Sequence, residues 1–294
     1  MIVDGVFSGG GIKGFAYIGA LQVLEERGIQ FKRVAGTSAG AILAAFIATG
    51  FSAQEMEQIF DELNTKTLLD PPKICIGIPF LKWMNLYMRF GLYRGNSLEK
   101  WFQQKLAKKG VFTFGDLPNG TLKLIASDLT NGTILVLPDD LKLYGINPNT
   151  FSIARALRMS CGLPFFFEPV YLKNGHKESV IVDGGVLSNF PLWIFDNGNK
   201  KRPVLGMKLS NASEATAPQK IDNAIELFEA LFSTMKNAHD NRYIARKHEK
   251  NIIFIPVEKY NTTQFDIDEE TKQKLMTIGE ERTIQFLKTW SPIW

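Results

Sequence analysis

Gly36-Thr37-Ser38-Ala39-Gly40 joins a short segment that reads as a strand, residues 31–35, to an almost wholly apolar one, residues 39–49, that stops at Gly50. A glycine-x-serine-x-glycine turn between a strand and a buried helix has the form of a nucleophile elbow. Such a turn forces the serine into a strained backbone conformation, and small flanking residues remove the clashes. The hydroxyl then stands at the N-terminus of the next helix, where the dipole favours developing negative charge. Taken alone, five residues of this form also describe an ordinary tight strand-helix turn, so the rest of the chain has to decide.

Residues 2–7 read as a strand ending in glycines. Residues 12–27 show helical spacing, with Phe15, Ile18, Leu21 and Leu24 on one face and Gly28 as the stop. Strand, loop, helix, strand, turn, helix within fifty residues is the rhythm of a parallel sheet covered on both faces. The fold class expected is α/β, three-layer α/β/α with a mainly parallel central sheet. Further along, Ser52 with Glu55 predicts a capped helix, and Ser97 with Glu99 another. Residues 122–127 and 133–137 read as strands paired around Asn131-Gly132. Residues 151–160 read as helix, 180–182 as a strand running into Asp183-Gly184-Gly185, and 204–209 and 252–257 as strands. Long helices are expected over roughly 220–248 and 270–289. There is no internal repeat, and only residues 211–219 resemble an exposed loop. A single domain over residues 1–294 is therefore expected, with a motif-bearing core of about 1–210 and a helical part of about 215–294 packed on it.

The 294 residues are 45% hydrophobic and 22% charged, the mix of a globular chain with a sizeable core. Cys75 and Cys161 have no metal-ligand spacing, no metal site is expected, and a reducing cytoplasm suits so few cysteines. Residues 1–5 lack the start of a signal peptide, and no apolar stretch reaches the ~18 residues needed to span a bilayer. The net charge of +4 favours anionic surfaces such as phospholipid headgroups and is too small to argue for nucleic acid. A cytoplasmic protein, able to sit peripherally at a membrane surface, is expected.

Gly9-Gly10-Gly11-Ile12-Lys13-Gly14 closes the first strand. Adjacent glycines let several backbone N–H groups converge into an anion-binding nest, which could hold the oxygen of a tetrahedral intermediate. The same residues fit Gly-x-Gly-x-x-Gly, but a dinucleotide site needs an acidic residue at the end of the second strand. That strand ends instead in the serine elbow. Asp183-Gly184-Gly185 follows an apolar strand, and two glycines after an aspartate allow a turn that exposes the carboxylate.

These three motifs, in this order and 145 residues from Ser38 to Asp183, resemble the patatin-like phospholipase family. Ser160 and Pro164 in Ser160-Cys161-Gly162-Leu163-Pro164, and Phe167-Glu168-Pro169-Val170, resemble motifs that precede the aspartate in that family. The likeness covers residues 1 to about 210. One departure is Ser8, where plant members carry aspartate. The resemblance implies a Ser-Asp dyad without a catalytic histidine: Ser38 attacks an ester carbonyl and Asp183 takes its proton. It also implies an oxyanion hole from Gly9, Gly10, Gly11 and Ala39, and a role for Lys13 in placing the loop or a headgroup. No cofactor is implied. The activity implied is that of a phospholipase A-type lipid acyl hydrolase on a phospholipid or other lipid ester. The competing readings are a general carboxylesterase or thioesterase with the same dyad, and a lipid-binding protein with weak activity.

A histidine triad is not ruled out by order, because His239 and His248 follow Asp183; both lie among charged residues, which suits a solvated helix face. His176 looks like a hairpin tip. Residues 74–93 carry Trp83, Tyr87 and Phe90 beside Lys82 and Arg89. Aromatic and basic side chains together suit a cap or a membrane-contact element, and Trp83 and Phe90 are expected to meet substrate.

Overall fold

Strand β1 (Ile2–Phe7) is buried on both faces beyond Ile2, as a strand between two layers must be. Val3 and Phe7 join Val34 of β2 (Gln30–Thr37) in one core; Val6 and Ala35, out of phase with them, join Phe190, Leu192, Phe195 and Ile252 in a second. The sheet therefore divides two hydrophobic layers, and the architecture is the expected α/β class with a mainly parallel central sheet.

The computed structural model describes residues 1–62, 65–71, 86–195, 202–209, 221, 227, 230–235, 249–257 and 268–291. Among these, eight strands form the main sheet. They include β4 (Leu122–Asp128), β5 (Thr133–Leu137), β7 (Val170–Asn174), β8 (Lys177–Asp183), β9 (Val204–Lys208) and β10 (Ile252–Phe254). The order is β10-β9-β1-β2-β4-β8-β7, parallel from β10 to β4, with β5, β7 and β8 antiparallel to their neighbours. A separate parallel pair joins β3 (Gly91–Tyr93) to β6 (Phe165–Phe167).

Helix α1 (Phe15–Glu26) is preceded by a 3-10 turn, Gly11–Gly14, where the spacing predicts helix from residue 12. Helix α2 (Ala39–Ala48) follows the serine turn directly. Helix α3 (Ala53–Asp61) has the capping box read from Ser52 and Glu55, with both reciprocal hydrogen bonds formed. The hairpin between β7 and β8 turns at Gly175-His176.

Helix α4 (Asn96–Ala107) corrects the expectation for Ser97, which lies inside the first turn. Its cap comes from 25 residues upstream: the Asp70 carboxylate accepts the N–H groups of Gly95, Asn96 and Ser97 at 2.6, 2.9 and 3.1 Å. A carboxylate spanning three amides satisfies more of the helix end than one hydroxyl can. Asp70→Ala should cost about 1–2 kcal/mol, lowering the thermal midpoint by about 2–6 °C in a calorimetric scan. An unchanged midpoint would contradict the capping role.

Helix α5 (Ile153–Ser160) is capped by Ser152. The last helix, α6 (Glu269–Leu287), packs along α1 with backbone against backbone: a Cβ on Gly19 would lie 2.0 Å from the Met276 carbonyl oxygen, and one on Gly279 1.8 Å from that of Ala16. Most of the aromatic stretch, residues 72–85 with Trp83, lies outside the described residues, as do His239 and His248. Among the described residues no helix is long and apolar enough to cross a membrane.

Candidate functional site

Strand pairing brings Ser38 and Asp183 together. Thr37, the last residue of β2, pairs with Ile125 of β4, and Asp183, the last residue of β8, pairs with the next residue, Ala126. Strand β5 occupies the opposite edge of β4 from Leu124 to Asp128. β2 and β8 must therefore share one edge, running toward each other and ending at the same point. The serine that follows β2 and the aspartate that ends β8 meet there, and both line one cleft.

Ser38 has φ 53° and ψ −120°, a backbone conformation that costs a residue with a side chain about 1–3 kcal/mol. The turn has no room for side chains on its flanks. A Cβ at Gly36 would lie 2.1 Å from the Gly40 carbonyl oxygen, and one at Gly40 2.3 Å from that of Phe7. The two glycines of the motif are thus required by close approach, and the half-buried Ser38 is left at the start of α2.

The glycine loop packs against this turn: a Cβ on Gly9 would come within 3.2 Å of Ser38 Cβ. Its amides are not equivalent. Gly9 donates its N–H to the Asn189 carbonyl at 3.0 Å, so of the four expected oxyanion donors Gly9 is committed elsewhere. Gly11 and Ala39 open their helical turns, with Gly10 just ahead, where no carbonyl of the same turn can reach their N–H groups. Ser8 is wired into the loop's base. Its hydroxyl accepts from Leu209 N at 3.0 Å and lies 3.0 Å from the Tyr17 hydroxyl, which donates to the Ser8 carbonyl.

Asp183 is buried, at 2% exposure, and its Oδ1 accepts the Gly185 N–H at 2.7 Å. The turn after it ties the site together. Ser127 Oγ donates to the Gly184 carbonyl, Thr37 Oγ1 to that of Ser188, and Gly9 N to that of Asn189. Neither Ser188 nor Asn189 carries a local pattern that would have singled it out.

A cleft of about 1110 Å³, open mouth included, runs from these residues between the helices. Its walls include Phe15 of α1, Leu43 of α2, Met56 and Phe60 of α3, and Trp101 of α4. Cys161 also lines it, and burial, with the Asp183 charge adding, pushes its thiol well above the usual range.

Other expected site residues fall outside the cleft. Lys13 is in the 3-10 turn, where its neighbours Ile12 and Gly14 line the cleft and it does not. Phe90, expected to meet substrate, is 51% exposed and is not a lining residue. His176 sits at its hairpin tip.

A profile of the family described as patatin-like phospholipase matches residues 5–196. The protein YqhO of Bacillus subtilis (strain 168) is 52% identical over 291 residues, covering 99% of this chain and all of that one. The cUMP-AMP-activated phospholipase of Escherichia coli is 27% identical over 213 residues, 62% of this chain and 54% of that one. Among solved structures, VipD from Legionella pneumophila superposes with a TM-score of 0.59 at 19% identity, over 98% of this chain and 67% of that one. At that identity the likeness is one of fold.

Proposed function

The chain belongs to the patatin-like phospholipase family, and on that footing we propose that it is a phospholipase A-type lipid acyl hydrolase using Ser38 and Asp183. The observation that carries this reading is the apolar cleft opening on Ser38. A small acyl group would leave such walls facing water, whereas a fatty acyl chain fills them.

In the proposed reaction Asp183 takes the Ser38 hydroxyl proton as the oxygen attacks the ester carbonyl. The N–H groups of Gly10, Gly11 and Ala39 hold the developing oxyanion, with the α2 dipole in support. Collapse expels the alcohol, which leaves with the proton from Asp183. Water then gives a proton to Asp183 as it attacks the acyl-serine; on collapse Asp183 returns that proton to Ser38 Oγ, and the fatty acid is released.

A lipid surface is the natural source of substrate. Tyr87, Met88 and Phe90 stand exposed around Arg89, whose side chain is 54% exposed. Apolar side chains with a cation suit an interface of lipid and water.

A fluorophosphonate probe should label the wild type at Ser38 and leave Ser38→Ala unlabelled. On vesicles and on esters of graded length, kcat/KM should rise about three- to four-fold per methylene until the cleft is full, the equivalent of ~0.8 kcal/mol each. Met56→Trp should move that limit to shorter chains. No labelling of Ser38 would overturn the catalytic reading. A flat response to chain length would leave a general carboxylesterase or thioesterase.

A further inference from the structure

The strained conformation of Ser38 needs an anchor, and the end of α5 supplies one. Ser160, the last residue of α5, is fully buried, and its Oγ accepts the Ser38 N–H at 3.1 Å while donating to the Ile125 carbonyl at 2.6 Å. Its one proton is spent on Ile125, so it presents a lone pair to Ser38. The next residue, Cys161, donates its thiol to the Ser38 carbonyl at 3.4 Å. The one after, Gly162, accepts the Asp183 N–H at 2.9 Å. Three consecutive residues thus grip Ser38 at both ends of its backbone and Asp183 at its amide.

A residue held at an unfavourable φ and ψ stays there only when its surroundings over-determine it. The main-chain groups on either side of the Ser38 side chain are the ones gripped, so the contacts bear on where the hydroxyl stands relative to Asp183. Resting on the functional reading above, we propose that Ser160 and Cys161 are positioning residues that hold the nucleophile turn in its strained form and in register with Asp183. The thiol acts as a neutral donor, which its buried setting preserves. Because Ser160 occupies the Ser38 amide, that amide takes no part in holding the oxyanion.

A misplacement of about 1 Å at a reacting centre can cost ~10²-fold in rate. Ser160→Ala leaves the Ser38 amide and the Ile125 carbonyl without their partner, and should slow both fluorophosphonate labelling of Ser38 and kcat by about 10- to 100-fold. KM should stay within a few fold. Cys161→Ala should slow labelling as well, and Cys161→Ser, which keeps a donor, should restore most of it. The control is Ser179→Ala, which removes a buried hydroxyl from the separate cluster around Asn131. It should leave labelling at the wild-type rate whatever midpoint it loses.

Wild-type labelling by a folded Ser160→Ala would overturn the proposal. So would an equal slowing in Ser179→Ala, which would make the effect one of general stability. If Ser160→Ala does not fold, equal rates in Cys161→Ala and Cys161→Ser overturn it. A wild type that never labels at Ser38 instead overturns the functional reading, and the positioning role falls with it.

Discussion

Asp183→Asn is expected to lower kcat by about 10⁴-fold with the fold intact, since loss of a proton-handling group costs an enzyme roughly that much. The substitution is nearly isosteric. The amide oxygen of asparagine can still accept the Gly185 N–H that now meets Oδ1 at 2.7 Å, and the backbone pairing of residue 183 with Ala126 does not involve the side chain. Turn and register therefore survive, and what disappears is the carboxylate to which the proposed reaction assigns the Ser38 proton. Fluorophosphonate labelling should fall in parallel, because it too requires an activated hydroxyl. His176→Ala, His239→Ala and His248→Ala should each stay within a few fold of the wild type. Steady-state kinetics with circular dichroism checks all four. A dead His239→Ala enzyme beside an active Asp183→Asn would make the base an imidazole and restore a triad.

The two residues of that argument were legible in the sequence for a local reason. A strand followed by glycine-x-serine-x-glycine, and another followed by Asp-Gly-Gly, each carry their turn chemistry within five residues. Their meeting was implied only by the family resemblance and is not written in either local pattern. It depends on β8 running antiparallel to β4 and stopping one residue beyond the point where β2 stops, at Ile125 and Ala126. That is a register between segments far apart in sequence, and no periodicity encodes it.

The glycine loop divides in the same way. Three consecutive glycines signal a nest of amides, yet the carbonyl of Asn189, distant in sequence, takes one of them. The start of α4 failed for a related reason. Ser97 and Glu99 make a plausible local cap, and Asp70 displaces them with three hydrogen bonds from outside the segment. The cleft was half visible. Helical spacing marks Phe15 and Ile18 as buried, but not that they border an open cleft rather than packing on another side chain.

Gly279 gives the second large effect. By helix propensity a glycine inside α6 is a weak point, and alanine there should gain about 1 kcal/mol. The packing against α1 reverses the sign. A Cβ at this position would stand 1.8 Å from the Ala16 carbonyl oxygen, a backbone atom that cannot rotate away. The two helices must separate. Leu275 and Met276, at 0% and 5% exposure, would lose contact on that face. Burial of such side chains is worth about 1.5–3 kcal/mol each. Gly279→Ala should therefore destabilise, and Gly279→Val should cost about 3–6 kcal/mol, a large share of the ~5–15 kcal/mol that holds a typical domain. The thermal midpoint should fall by about 8–15 °C, whereas Thr277→Ala, on the exposed side of the same helix, should change it little. A Gly279→Ala protein melting at or above the wild-type temperature would show that the helices are not locked at this contact. The damage should also reach the substrate. Phe15 and Ile18 of α1 border the cleft, so, on the proposed function, an α1 pushed off its seat should raise KM for long-chain esters more than for short ones, linking α6 to a cleft whose lining includes none of its residues.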